Sequence, residues 1–170
     1  INRANQYSHW FLDNGLKKGD VVALLMENRP EFLMSWIGIA QVGGTTALIN
    51  TNLTGHPLNH SLSISGAKKL ILGKELLDNF ETTNDSIKSS FQVWVEGESN
   101  KTKFNNLNQN LEKFETIKPT VAYNVTNQDV ALYIYTSGTT GDPKAATITH
   151  RRLRLMLMGF ASAVLPKKTD

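Results

Sequence analysis

The alternation of apolar and polar positions divides the chain into short helices and strands. Ala4, Tyr7 and Phe11 recur at helical spacing with Trp10 beside them, so Ala4–Leu16 predicts a helix that Asn14-Gly15 stops. Gly19-Asp20 turns the chain into Val21-Val22-Ala23-Leu24-Leu25-Met26, an unbroken apolar run that suits a strand buried on both faces. Pro30 opens a second helix, where its missing N–H costs nothing. That helix runs through Phe32, Leu33, Trp36, Ile37 and Ala40 to Gly43-Gly44, which can end it. Thr45–Ile49 reads as the next strand, and strand, helix and strand so close together make a βαβ crossover with parallel pairing. Pro57–Ser65 reads as a short helix and Lys69–Leu72 as another buried strand.

Further along, Phe91–Val95 reads as a strand. Gly97-Glu98-Ser99-Asn100 and an Asn-rich stretch from Lys103 to Lys113 follow, with Asn105, Asn106, Asn108 and Asn110. That stretch predicts a solvated loop or a poor helix, a connector around 97–113 between two packed halves. Tyr123–Asn127 is a second connector. Asp129–Tyr135 returns as an apolar, β-favouring strand, Ala145–Ile148 as another, and Leu153–Leu165 as an apolar helix. No internal repeat is present. The fold class is α/β, built from parallel-sheet βαβ units.

Composition bounds the chemistry. The 170 residues suit one domain; 18 Lys and Arg against 15 Asp and Glu leave a net charge of +3, too small and too interspersed to argue for nucleic acid. The absence of cysteine excludes a disulfide scaffold, a thiol nucleophile and any Cys-ligated metal centre. No Asp, Glu, Lys or Arg lies between Glu31 and Lys68, but Gln41 and Gly43-Gly44-Thr45-Thr46 interrupt the run, so a buried helix–turn–strand is expected rather than a membrane span. Sequons at Asn52, Asn59, Asn84, Asn100 and Asn124 barely exceed chance in a chain so rich in Asn, Ser and Thr, which favours an intracellular, unglycosylated reading. A start at Ile1 and a stop directly after an apolar helix are expected of an interior piece of a longer protein.

One segment concentrates polar donors. Tyr135-Thr136-Ser137-Gly138-Thr139-Thr140-Gly141-Asp142-Pro143-Lys144 packs two glycines, four hydroxyl residues after the tyrosine and a lysine into the end of a buried strand. Gly138 and Gly141 free the backbone to turn successive N–H groups toward one anion, and Lys144 adds a positive charge for phosphate oxygens. The plain alternative is a Gly/Thr hairpin loop with a solvated lysine. A Walker loop is excluded, because only two residues separate the glycines and Asp142-Pro143 intervenes before Lys144. A nucleophile elbow is excluded too: Tyr135 stands where its first glycine belongs, so Ser137 is a poor nucleophile.

This segment resembles the signature loop of the adenylate-forming (AMP-binding) enzymes, the acyl-CoA synthetase and luciferase superfamily; Thr149-His150-Arg151 resembles the Thr-His segment that follows it. Val22–Phe32, with Glu27-Asn28-Arg29-Pro30-Glu31-Phe32, and Ala47–Leu53, with Ile49-Asn50-Thr51-Asn52-Leu53, resemble the fatty acid transport protein branch, the very-long-chain acyl-CoA synthetases. The resemblance implies a partial AMP-binding domain over 1–170, the incomplete N-terminal domain of a synthetase. It also implies a two-step ligation: ATP and a fatty acid give an acyl-adenylate, and coenzyme A, as substrate, then takes the acyl group. In that reading Tyr135, Thr136, Ser137, Gly138, Thr139, Thr140, Gly141, Asp142, Pro143 and Lys144 hold the phosphates, with Lys144 catalytic and Thr136 on Mg²⁺. A long-chain fatty acid partner, membrane association through segments outside 1–170, a cytosol-facing place at the endoplasmic reticulum or plasma membrane and a homo-oligomer are further implications. Asp142 departs from the pattern with an electrostatically unhelpful charge, and Arg151-Arg152-Leu153-Arg154 stands where the branch usually shows aromatics. The adenine-binding segment, the acidic Mg²⁺ ligand, the fatty-acid gate and the distal lysine would lie beyond Asp170, so the chain alone is expected to be inactive.

Other candidates carry less. His56 and His60 sit four apart, but Pro57 between them and the lack of a nearby carboxylate favour surface roles over a metal pair. His150, read as closing a strand, could orient the next helix or approach substrate. Arg151, Arg152 and Arg154, with Lys167 and Lys168, could meet anionic lipid or coenzyme A, with a solvated helix start as the default. Glu27, Asn28 and Arg29 could simply build a turn, and Trp10 and Trp36 are expected in the core. A membrane-associated fatty acid carrier without catalysis, and a relative that only binds nucleotide, stand as alternatives to the ligase.

Overall fold

The computed structural model describes residues 1–98, 103–137 and 143–164, and at 136, 137, 143 and 162–164 the backbone alone. Helix α1 (Asn2–Asp13) leads into β1 (Val21–Leu25), α2 (Pro30–Gln41) and β2 (Thr45–Leu48). Then come α3 (Gly55–Ile64), β3 (Lys69–Gly73), a 3₁₀ turn (Lys74–Leu76), α4 (Leu77–Glu81), α5 (Asp85–Ser90) and β4 (Gln92–Glu96). Strand β5 (Asn105–Asn106), α6 (Leu107–Leu111), β6 (Val130–Ser137), β7 (Pro143–Thr149) and α7 (His150–Val164) complete the order. The strands form one sheet in the order β5-β4-β3-β1-β2-β6-β7, parallel throughout except for β7, which runs back along β6. The expected βαβ units are therefore present, and among the described residues no helix is long and apolar enough to cross a membrane.

The sheet is covered on both faces, which is why its central strands are continuously apolar. Val22 and Leu24 of β1, and Met26 just after it, point with Trp94 into a layer built on Tyr7, Trp10, Phe11 and Ile39. Ala23 and Leu25 point the other way, with Val93 and Val95, against Leu58, Leu62 and Phe80. Helices α1 and α2 touch closely at Gly38, where an added Cβ would stand 2.5 Å from the Tyr7 Cβ and 3.1 Å from the Ala4 carbonyl. The Ser8 hydroxyl lies at the same contact and donates to the Gln41 side-chain oxygen at 2.6 Å. Gly38→Ala should therefore push the two helices apart. We expect a loss of about 1–3 kcal/mol, read from the urea midpoint at unchanged slope.

Three sequence expectations change. Of the two readings of the Asn-rich stretch, the solvated loop gives way to the poor helix, five residues long: Asn105–Asn106 pairs with Trp94 and Val95, and Leu107 and Leu111 are fully buried. Two leucines four apart suffice to seat one helical turn, while the asparagines cap it; the Asn106 side chain accepts the Gln109 N–H. Second, His150 opens α7 rather than closing a strand. Third, Trp10 is core at 1% exposure, but Trp36 is only half-buried, at the margin of the core against the cluster of Ala131, Leu132 and Ile148.

The segment from Phe114 to Asp129 runs as a strap tied to α1 and α2. Asn5 donates to the Thr116 carbonyl at 2.6 Å, Gln6 to the Phe114 carbonyl at 3.1 Å, and the Tyr123 hydroxyl to the Val42 carbonyl at 2.7 Å. Lys18 pairs with Asp129 at 2.8 Å and holds its carboxyl below the ordinary range. The strap delivers the chain to the start of β6, the strand that carries the candidate loop.

Candidate functional site

The candidate site is built on the β6–β7 hairpin. Tyr135 stands opposite Ala145, Thr136 opposite Lys144 and Ser137 opposite Pro143, so the two ends of the Gly/Thr-rich segment are held in register. Lys144 is exposed. Gly138, Thr139, Thr140, Gly141 and Asp142 lie outside the described residues, and Thr136, Ser137 and Pro143 are placed by backbone alone. The hairpin tip lies at the carboxyl rim of the parallel sheet, the position at which open α/β sheets receive ligands.

Strand β2 is the parallel neighbour of β6, with Leu48 level with Ile134. The segment leaving β2 therefore emerges one strand spacing, about 4.8 Å, from the segment leaving β6. This is the Ile49–Leu53 stretch that carries part of the branch resemblance. Asn50 folds it by accepting the Asn52 N–H at 2.9 Å. Asn79, from α4, pins it from the side by donating to the Thr51 carbonyl at 3.0 Å. Sequence reading missed Asn79, because its partners lie more than twenty residues away. Tyr135 packs on the same face of the sheet as Tyr133; burial, and then the neighbouring Tyr133, push its hydroxyl up to about 12.

His150 sits at the far end of the hairpin. The pairing runs from Ser137 with Pro143 to Val130 with Thr149, so His150 is about 20 Å from the tip. Its N–H donates to the Asp129 carbonyl at 3.1 Å, and Arg151 N–H donates to Asn127 at 2.8 Å, which orients α7. Burial holds its imidazole below the ordinary range, only partly offset by Asp129. Of its two sequence readings, the orienting one fits. Arg151, Arg152 and Arg154 are exposed, while Lys167 and Lys168 lie outside the described residues. His56 is exposed and His60 half-buried on α3; among the described residues no group of three or more His, Asp or Glu could hold a metal ion.

The Glu27–Phe32 stretch does more than turn the chain. Arg29 reaches Glu31 at 3.2 Å, Glu75 at 3.4 Å and the Glu96 carbonyl at 3.0 Å, and Glu27 N–H donates to Glu75 at 3.0 Å. The carboxyl ends of β1, β3 and β4 are thereby tied together along the rim that bears the loop.

Comparison with known proteins agrees with this architecture. The AMP-binding enzyme family profile matches residues 2–167. Long-chain fatty acid transport protein 6 of Homo sapiens is 35% identical over 150 residues, 86% of this chain and 24% of that protein. Long-chain fatty acid transport protein 1 of Bos taurus is 38% identical over 153 residues, 88% of this chain and 24% of that protein. The chain thus spans about a quarter of the length of these relatives. Among solved structures, the fatty acyl CoA synthetase of Mycobacterium tuberculosis superposes with a TM-score of 0.79 at 27% identity, covering 99% of this chain and 32% of that one. The anthranilate CoA ligase AuaEII in complex with anthranoyl-AMP superposes at 0.81 with 27% identity, covering 92% of this chain and 30% of that one. With its α/β sheet, its rim hairpin and a profile match over nearly its whole length, the chain belongs to the AMP-binding enzyme family.

Proposed function

We propose that this chain is the phosphate-holding part of an AMP-forming ligase that activates a long-chain or very-long-chain fatty acid and passes it to coenzyme A. The observation that carries the reading is the hairpin register. Thr136 opposite Lys144 brings both ends of a donor-rich segment together at the carboxyl rim of a parallel sheet. The kinship with long-chain fatty acid transport proteins supports the substrate class.

In the first step a carboxylate oxygen of the fatty acid attacks the α-phosphorus of ATP, and the bond to pyrophosphate breaks. In the second, the coenzyme A sulfur attacks the acyl carbon, its proton is lost, and AMP leaves. Neither step needs a covalent enzyme intermediate, in keeping with a chain that has no cysteine. The work of Tyr135–Lys144 is electrostatic: backbone N–H groups, hydroxyls and the Lys144 ammonium offset charge on the departing pyrophosphate. The Thr136 hydroxyl, a hard oxygen donor, suits Mg²⁺, which would supply further charge compensation there. Membrane association at the endoplasmic reticulum or plasma membrane, facing the cytosol, and homo-oligomer formation belong to the same proposal; nucleic acid does not.

The test uses the protein carrying the whole adenylating unit. Pyrophosphate–ATP exchange that requires added fatty acid, followed by acyl-CoA formation, is the expected result. The 170 residues alone should form no acyl-CoA. Fatty acid binding without exchange would favour the carrier, and ATP binding without exchange the nucleotide-only relative.

A further inference from the structure

Glu96, at the end of β4, is buried to 1% exposure, and among the described residues no cation pairs with its carboxylate. Arg29, the nearest guanidinium, gives its hydrogen bond to the Glu96 main-chain carbonyl and its ion pairs to Glu31 and Glu75. Both carboxylate oxygens face the terminal amide of Asn108 on α6, and with its nitrogen turned toward them that amide donates to both, at 2.5 and 2.6 Å. Tyr7 of α1 lies against the same carboxylate, and the Ser35 hydroxyl of α2 stands by Tyr7. Arg3 on α1 and Glu31 at the start of α2 are the other charges that Glu96 feels.

A buried carboxylate satisfied by neutral donors alone is costly when charged and much less so when protonated. Asn108 suits both states. Its amide nitrogen serves the charged form, and a half-turn of the same amide presents its oxygen to a protonated one. The helix that bears Asn108 is only five residues long, sits at the sheet edge, and is seated by Leu107 and Leu111.

We propose that Glu96 and Asn108 form a proton-linked latch that fastens α6 and β5 to the edge of the sheet, firm when the carboxyl is protonated and loosened when it is charged. Burial holds the Glu96 carboxyl above the ordinary carboxylate range, a shift that Tyr7 and Arg29 reduce without reversing. The folded protein thus holds this proton more tightly than the open form does. The stability of the latch is complete below the ordinary carboxylate range and is lost as pH rises through the raised value. Opening of α6 is the cheapest way to return the charge to water.

Hydrogen exchange on the full-length protein tests this, with amide rates at 107–111 corrected for the intrinsic pH dependence. The opening equilibrium should climb with pH by up to about tenfold per unit across the titration of Glu96. In E96Q the corrected rates should stay flat. In N108A, where the charged form loses its donor, the rise should start in the same ordinary carboxylate range but continue to higher pH, and the closed state should be weaker throughout. Carboxyl carbon shifts of Glu96 give a second reading that does not depend on any variant, and their midpoint should lie above that of exposed glutamates. A Glu96 that titrates with the exposed glutamates, or an E96Q protein with the pH profile of the parent, would overturn the latch.

Discussion

Lys144→Ala should lower the rate of fatty-acid-dependent ATP–pyrophosphate exchange by about 10²–10³-fold in the protein carrying the whole adenylating unit. The argument is one of position and charge. Lys144 is the first residue after the loop whose side chain is described, stands across the hairpin from Thr136 and is exposed at the rim. No ion pair at this side chain is seen among the described residues, so its removal should cost the fold little. The lost ammonium would be felt where negative charge gathers on the leaving pyrophosphate, so kcat should fall more than the apparent affinity for ATP. Thermal midpoints of parent and variant without nucleotide should agree within about 0.5 kcal/mol of stability. An unchanged exchange rate would remove the loop from the reaction, while a variant that unfolds would point to a structural lysine instead.

How much of this was legible in the residues depends on the range over which the physics acts. Val21–Met26 and Lys69–Leu72 declare themselves as strands because a strand buried on both faces must be apolar throughout. Pro30 and Gly43-Gly44 bracket α2 by local backbone chemistry alone. The Gly/Thr-rich segment is legible through its spacing, and its place at the rim follows from parallel pairing. By contrast, Lys74–Ser90 holds a 3₁₀ turn and two helices of five and six residues, too short to show a period. The edge helix α6 is hidden by its asparagines, which look like loop until Leu107 and Leu111 are seen to be buried. Glu96 is silent in the sequence for a similar reason. Nothing local to Glu96 signals its burial, and only the arrival of Tyr7 and Asn108 from elements elsewhere in the chain encloses it. The same holds for Asn79, whose hold on the Asn50–Leu53 turn joins α4 to the candidate site. What is local in cause can be read locally; what depends on the packing of distant elements cannot.

Trp10→Ala should be the most damaging single truncation in the layer over β1 and β4, at about 3–5 kcal/mol. Trp10 is 1% exposed and meets Phe11 and Trp94 edge-on, with ring centroids 4.9 Å away in both cases. It therefore joins α1 to the sheet at the strand that ends in Glu96. Neither neighbour is free to collapse into the space, because Phe11 is fully buried and Trp94 is fixed in β4. Against a typical domain stability of about 5–15 kcal/mol, that loss is a large fraction of the whole. Trp36→Ala provides the contrast. Sequence patterning places both tryptophans in the core, but Trp36 is half-buried and, among the described residues, meets one ring, Phe32, at 6.5 Å. Its truncation should cost clearly less, since part of the ring already faces water and leaves no closed cavity. Paired urea titrations of the two variants decide the matter. Equal losses would mean that Trp36, at the margin of the core against Ala131, Leu132 and Ile148, is as tightly enclosed in solution as Trp10.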